Sequence, residues 1–212
     1  MSVFSFIRVY LSHSFCFLLR ERSFLLKKWS LQQVVLLAFL AFLFGGVFMG
    51  AGFLYALLNA ALLPLGLSPF ANELLFGMWT MVAPIAAMLI PRAGSAVLAE
   101  VLAALAEMLY GSYFGPSVLI SGVIQGLGSE SGFFVTRYKR YDTLTLFYSA
   151  IGTTIFSYVY EYFKFGYGNY GLGMNIALIS VRFVSICFFG IFLTKVILRM
   201  YQSAQGLAVK AK

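Results

Sequence analysis

The chain has 212 residues, of which 61% are hydrophobic and 10% are charged, and its formal net charge is +8. Soluble domains hold about 25% charged residues, so this composition excludes an ordinary soluble enzyme. The single histidine excludes a histidine-based metal centre and a Ser-His-Asp triad, and the two cysteines leave no room for a disulfide framework.

Apolar segments separated by proline and glycine follow one another along the chain, and a helix that crosses a bilayer needs about 20 such residues. We predict six transmembrane helices, because the bilayer core satisfies backbone polar groups only within helices or closed barrels. The segments are residues 31–58, 72–90, 93–110, 116–135, 143–163 and 172–200. Residues 1–29 are then an N-terminal cytoplasmic or interfacial segment, 30–202 the membrane domain, and 203–212 a basic cytoplasmic tail.

The basic residues lie unevenly on the two sides of this arrangement. Thirteen of the 15 Lys and Arg residues fall on one side, Lys164 falls on the other, and Arg182 lies within the sixth segment. Cytoplasmic loops of membrane proteins collect Lys and Arg, so both termini are expected in the cytoplasm. Because these residues flank apolar segments, they indicate orientation and contact with anionic lipid in a bacterial plasma membrane, with no nucleic-acid partner.

Five of the seven acidic residues lie inside or at the ends of the apolar segments, where each costs about 2.5–3.5 kcal/mol at a helix centre. Intramembrane carboxylates usually face the interior of a bundle or a wet cavity and serve function. A tryptophan and a glutamine fall at similar depth and offer an aromatic face and a hydrogen-bonding amide. The predicted binding residues are Glu107, Glu100, Gln125, Trp79, Glu73, Glu161 and Glu130. This set suits a small, cationic, aromatic solute, and it contains no catalytic residue and no metal ligand set.

Several of these residues also have structural interpretations. Glu73 is placed to cap the second helix, where the helix dipole favours a carboxylate. Glu161 is placed to be solvated beside Lys164, and Glu130 to pair with Arg182. Trp79 is equally suited to packing. Glu100 and Glu107, seven residues apart on one helical face, are the hardest to explain by structure alone.

Four runs in the middle of the chain resemble the YkoE family, the substrate-binding S components of energy-coupling-factor (ECF) vitamin transporters. They are Gly77-Met78-Trp79, Pro91-Arg92-Ala93-Gly94-Ser95-Ala96, the stretch from Ala99-Glu100 to Ala106-Glu107, and Gln125-Gly126-Leu127-Gly128-Ser129-Glu130. The resemblance implies an S-component bundle that captures thiamine or its hydroxymethylpyrimidine precursor from outside. It also implies a membrane scaffold (T) protein and two cytoplasmic ATPases as partners. The ATPases use the ATP, so the chain itself needs no cofactor and is not an enzyme.

Small residues in the first segment permit the close approach of another helix, either within the chain or from a partner. By the family resemblance, Ala38, Ala41, Gly45 and Gly46 become candidates for the contact with the scaffold protein.

A different interpretation of the same acids is a stand-alone cation- or proton-coupled carrier that uses the glutamates as a relay. An intramembrane enzyme is disfavoured, because the sequence offers no metal-ligand set and no clear pairing of a nucleophile with a base.

Overall fold

A computed structural model describes residues 29–210 of the chain, so the predicted N-terminal segment lies outside the described residues except for Trp29. Every regular element in this range is helical, which confirms the all-α prediction. The helices are α1 (Leu31–Leu62), α2 (Pro69–Thr80), α3 (Val82–Leu89), α4 (Ser95–Tyr110), α5 (Ser117–Val135), α6 (Thr143–Lys164), α7 (Leu172–Cys187) and α8 (Thr194–Lys210). Short 3₁₀ helices follow α1 and α6, and a π-helical segment, Phe188–Leu193, joins α7 to α8.

Four helical stretches are long and apolar enough to cross a membrane: Leu31–Leu65, Pro69–Leu89, Ser117–Val135 and Leu172–Ala204. The remaining two predicted segments correspond to α4, which has 16 residues, and α6, which is rich in Thr, Ser and Tyr. The chain is therefore a multi-pass membrane protein, and the count of six spans stays a prediction.

The chain divides into two units, residues 1–34 and 35–212. In the described part of the first unit, a reciprocal pair of hydrogen bonds starts α1. Gln33 N donates to Ser30 Oγ at 3.2 Å, and Ser30 N donates to Gln33 Oε1 at 3.1 Å. This capping box satisfies two backbone donors that a helix start leaves without partners.

In the second unit, the predicted second segment is divided into two helices at Met81. Pro84 explains the break, since it lacks an N–H group and its ring crowds the carbonyl four residues earlier, at Thr80. The N–H of Ala83 is then free of the helical ladder and donates to Oε2 of Glu100 at 3.2 Å. The sequence predicted a kink at this proline, and the structure shows a one-residue break at Met81, beside which the Glu100 carboxylate accepts the N–H of Ala83.

Helix α5 packs against both α4 and α6, and glycines set how closely. A Cβ added at Gly126 would lie 2.9 Å from Cα of Val97 in α4, and one added at Gly128 would lie 2.7 Å from Cα of Thr153 in α6. The N-terminus of α5 and the C-terminus of α6 meet where Lys164 Nζ donates to Ser117 Oγ. We call this side the Lys164 end, and the side of the α5–α6 loop the Arg140 end.

The small residues of α1 face two directions. Ala41 is 6% exposed, and a Cβ added at Gly45 would lie 2.5 Å from the Cβ of Ala106 in α4. Gly45 therefore packs against α4 of the same chain, and its contact with a scaffold protein, like that of Ala41, stays a prediction. Ala38 is exposed, and a Cβ at Gly46 meets no described atom within 4 Å, so these two stay predicted contacts.

Candidate functional site

A cavity lies at the Lys164 end of the second unit, bordered by α1, α2, α4, α5 and α6. Its lining residues are Phe48, Asn72, Phe76, Trp79, Ala104, Glu107, Phe114, Val118, Ser121, Gln125, Glu161, Lys164 and Phe165. The cavity volume is about 40 Å³, which is enough for a few water molecules. The structure thus brings four of the seven predicted binding residues together around one small cavity.

Glu107 is the lining carboxylate without a cationic partner. Its side chain is buried, and Oε1 accepts a hydrogen bond from Ser112 Oγ at 2.7 Å. Ser112 Oγ in turn accepts a hydrogen bond from Phe114 N at 3.2 Å. Among the described residues, no Lys or Arg forms an ion pair with Glu107. The α4–α5 loop therefore holds an uncompensated carboxylate in place at the cavity wall.

Glu161 belongs to a buried ion-pair cluster around Arg182. The guanidinium donates to Glu73 Oε2 and Oε1 at 2.5 and 2.7 Å, and also to Glu161 Oε2. Tyr167 donates its hydroxyl to Glu73 at 3.0 Å, and Asn72 donates its amide to Glu161 at 2.8 Å. Two carboxylates share one guanidinium, so the cluster carries a formal charge of −1 beside the cavity.

Gln125 and Trp79 present different groups to the cavity. Gln125 is 7% exposed, and its amide makes no hydrogen bond to another described residue. The Trp79 indole N–H donates to the Phe48 carbonyl at 3.1 Å, so this donor is occupied and the ring itself faces the cavity. Gln125 therefore offers a free donor and acceptor, whereas Trp79 offers an aromatic surface.

Four rings from α1, α2 and the α4–α5 loop form an aromatic cluster at the cavity: Tyr55, Trp79, Tyr113 and Phe114. The Trp79 and Phe114 ring centroids lie 5.6 Å apart, and those of Tyr55 and Phe114 lie 5.1 Å apart. Centroid separations of 4.5–7 Å are typical of interacting aromatic pairs. Together with the Glu107–Ser112 bond, these contacts hold the loop over the cavity.

The three other predicted residues contact protein groups instead of lining the cavity. Glu73 pairs with Arg182 and is buried in the cluster described above. Glu100 is buried, accepts from Ala83 N through Oε2, and has no partner for Oε1 among the described residues. Glu130 accepts from the N–H groups of Gly94 and Ala96 at 2.6 and 3.0 Å.

These contacts also decide between the structural interpretations. The expected pairing of Glu130 with Arg182 is wrong, because Arg182 contacts Glu73 and Glu161, and Glu130 caps the N-terminus of α4. Glu161 is 5% exposed and is therefore not solvated beside Lys164.

Sequence reasoning missed the α4–α5 loop as part of the site. Ser112, Tyr113 and Phe114 stand between Gly111 and Gly115, both of which adopt positive φ (103° and 60°). Glycine is favoured in that conformation because it has no Cβ. Two aromatic residues between such glycines were the available signal for a tight loop, which in the structure turns Phe114 into the cavity and leaves Tyr113 60% exposed.

A cavity with carboxylate, amide and aromatic walls between helices of a membrane protein is typical of a protein that binds a small solute. Residues 32–156 match the family model described as the permease component of an ABC-type cobalt transport system. Among residues 29–210, no group of three His, Cys, Asp or Glu side chains is placed to hold a metal ion.

Two known proteins define the family more closely. The chain is 32% identical over 160 residues to an HMP/thiamine permease protein, YkoE of Bacillus subtilis (strain 168), covering 76% of this chain and 78% of that protein. It also matches a crystal structure of an S-component of an ECF transporter, with a TM-score of 0.75 and 29% identity over 87% of this chain and 94% of the other. The chain belongs to the YkoE family of ECF transporter S components.

Proposed function

We propose that this chain captures thiamine or its hydroxymethylpyrimidine precursor in the cavity at the Lys164 end, as the solute-binding subunit of an ECF importer. The observation that carries the proposal is Glu107, a buried carboxylate that forms no ion pair with any described Lys or Arg. It is set among aromatic rings and beside the free amide of Gln125. The B. subtilis relative, which is named an HMP/thiamine permease protein, supports the same class of ligand.

The proposed ligand matches each wall of the cavity. Thiamine carries a fixed positive charge on its thiazolium ring, and Glu107 supplies the opposite charge in a region shielded from water. The aminopyrimidine ring carries donors and acceptors that the Gln125 amide can complement. The aromatic cluster offers ring faces for stacking and for contact with the cation.

Binding requires the cavity to open. Pockets that hold drug-sized ligands measure about 300–1,000 Å³, far more than the 40 Å³ present here. The loop of residues 111–116 is the element we propose to move, since it contributes Phe114 and is tied to Glu107 through Ser112. A cation at Glu107 would compete directly with the Ser112 hydroxyl, so ligand entry and loop opening are coupled.

We further propose that the Lys164 end faces outward and the Arg140 end faces the cytoplasm of a bacterial cell. The α5–α6 loop holds Arg137, Lys139 and Arg140, and the positive-inside rule assigns such a loop to the cytoplasm. A scaffold protein and two ATPases would then drive release inward. Of the four predicted scaffold contacts in α1, we propose that two face the scaffold protein: Ala38, which is exposed, and Gly46, where an added Cβ would meet no described atom within 4 Å.

Titration calorimetry of the purified protein with thiamine and with hydroxymethylpyrimidine tests the ligand. We expect saturable heat with at least one of them. Absence of heat and of competition with both, up to millimolar concentration, overturns the vitamin assignment. Proteoliposomes that contain this chain alone should bind the ligand without accumulating it. Accumulation driven by an ion gradient would show a stand-alone carrier instead.

A further inference from the structure

A second, larger concavity lies on the outer surface of α5 and α6. Its volume is about 760 Å³, compared with about 40 Å³ for the solute cavity. Six residues form its apolar walls: Ile124, Ile155, Phe156, Val159, Tyr160 and Phe163. Lys164 completes the lining. We call this concavity the lateral groove.

The length of the lateral groove matches one leaflet of a bilayer. Ile155 and Lys164 are nine residues apart on α6, which corresponds to about 13.5 Å along a helix axis. Half of the hydrocarbon core of a bilayer is about 15 Å. With α6 as a predicted span and Lys164 at the interface, the groove extends from that interface to near the bilayer centre. Its apolar walls include Val159 at 53% and Phe163 at 78% exposure.

The interfacial end of the lateral groove carries a cation without a counter-ion. Lys164 Nζ lies 5.3 and 5.2 Å from the ring centroids of Tyr160 and Phe165, and it donates to Ser117 Oγ at 3.3 Å. It forms no ion pair with any described carboxylate. Long cationic side chains at helix ends reach toward the interface, where lipid phosphates lie.

We propose that the lateral groove is a binding site for an anionic phospholipid, with one acyl chain along α6 and the headgroup phosphate at Lys164. Both halves of such a lipid have a partner: the chain fits an apolar channel one leaflet deep, and the phosphate fits the unpaired ammonium group. A second protein helix would cover the apolar walls but would leave Lys164 without an anion unless it brought a carboxylate. Lys164 also lines the solute cavity, so the bound headgroup would lie at the mouth of that cavity.

Native mass spectrometry of the purified chain, with phosphatidylglycerol or phosphatidylcholine of identical acyl chains added in equal amounts, tests the site. We expect a single adduct that is retained more strongly with phosphatidylglycerol. The variant Lys164→Gln should reduce phosphatidylglycerol retention about fivefold, the effect expected of one lysine near a charged interface. It should reduce phosphatidylcholine retention less, because the choline cation of that lipid offsets the charge of its phosphate. Equal retention of the two lipids by the unmodified chain, or no loss in Lys164→Gln, overturns the proposal.

Two further variants separate the charge from the groove. Lys139→Gln removes a lysine from the α5–α6 loop at the opposite end, and it should leave both adducts unchanged. Val159→Trp fills the lateral groove without altering charge, and it should reduce retention of both lipids. If Val159→Trp leaves both adducts intact, the acyl chain lies elsewhere and the groove is not the site.

Discussion

Glu107 and Glu161 lie toward the Lys164 end and line a cavity, whereas Glu100 and Glu130 lie toward the Arg140 end and accept backbone N–H groups. All four are buried glutamates on helices that cross or approach the membrane interior. The difference is the partner: at the Arg140 end, a carboxylate meets the N-terminus of another helix, whose partial positive charge and free donors stabilise it. At the Lys164 end, the partners are side chains, and no described Lys or Arg forms an ion pair with Glu107.

Burial of an acid in such a protein therefore does not by itself mark a binding residue. Glu130 satisfies the start of α4, and Glu100 satisfies the N–H group that the Pro84 break releases. Both acids therefore have a structural partner, although Oε1 of Glu100 has none among the described residues. Glu107 accepts a hydrogen bond from one neutral hydroxyl and meets no helix N-terminus. The comparison therefore favours Glu107 as the ligand-binding acid.

The largest expected effect is at the Arg182 cluster, which supports the cavity wall at Glu161. Arg182→Met leaves Glu73 and Glu161 buried without their shared cation, and removal of one partner of a buried pair costs about 3–5 kcal/mol. We expect the free energy of unfolding in detergent to fall by about that amount. A denaturant titration followed by circular dichroism measures it.

Two control variants sharpen this expectation. Arg140→Met removes a cation from an exposed pair with Asp142 and should change stability little, because solvent screens such pairs. Adding Glu73→Gln and Glu161→Gln to Arg182→Met should recover much of the loss, since no unpaired charge remains. If Arg182→Met is as stable as the unmodified chain, the cluster does not contribute to stability as its burial indicates.

The next effect separates the two acids of α4 by ligand binding. Glu107→Gln should weaken thiamine binding at least about tenfold, equivalent to about 1.4 kcal/mol, because the amide cannot neutralise a cation. Glu100→Gln, on the same helical face but directed at Ala83, should leave the affinity within about threefold, well under 1 kcal/mol. Calorimetry of both variants with thiamine decides. A loss in Glu100→Gln without a loss in Glu107→Gln would move the binding site toward the Arg140 end.

A smaller effect is expected for Glu130→Gln, which should lower stability and leave thiamine affinity unchanged. Gly94 and Ala96 donate to different oxygens of Glu130, so Glu130→Gln keeps an acceptor for only one of these N–H groups and turns an NH2 group toward the other. It also removes the charge that favours the N-terminus of α4, which by itself is worth about 1 kcal/mol. We expect a modest drop in the thermal unfolding midpoint and unchanged thiamine affinity. Reduced affinity at unchanged stability would return Glu130 to the binding residues that the sequence predicted.

The sequence was sufficient for much of the fold. The predicted segments 93–110, 116–135 and 143–163 end within two residues of α4, α5 and α6, because proline and glycine mark the turns between apolar runs. The π-helical segment Phe188–Leu193 was not predictable in this way. It lies inside a continuous apolar run, and π-helical and α-helical hydrogen bonding cannot be distinguished from the hydrophobicity of such a run.

The candidate site was predictable in composition and not in pairing. The cost of inserting charges identified the five acids, but which of them meets a helix N-terminus depends on how closely two helices approach. Glu130 reaches Gly94 and Ala96 because Gly126 lets α5 lie directly against α4. Such a contact joins residues more than 30 positions apart, and no local pattern in a single sequence records it.

The smallest expected effect lies at the Arg140 end and outside the membrane helices, at Asp142, the N-cap of α6. The Thr145 backbone N–H that donates to its carboxylate and the Arg140 side chain lower the pKa of Asp142 to about 2. A pKa that is lower in the folded state than in the unfolded chain means that the ionised form stabilises the fold. This contribution is complete above about pH 4 and is lost as the pH falls toward 2.

Because Asn mimics the protonated acid, the unfolding midpoint of Asp142→Asn should lie slightly below that of the unmodified chain at pH 7 and at pH 5. The gap should close between pH 4 and pH 2, and a gap of constant size down to pH 2 would show that the charge of Asp142 does not stabilise the start of α6.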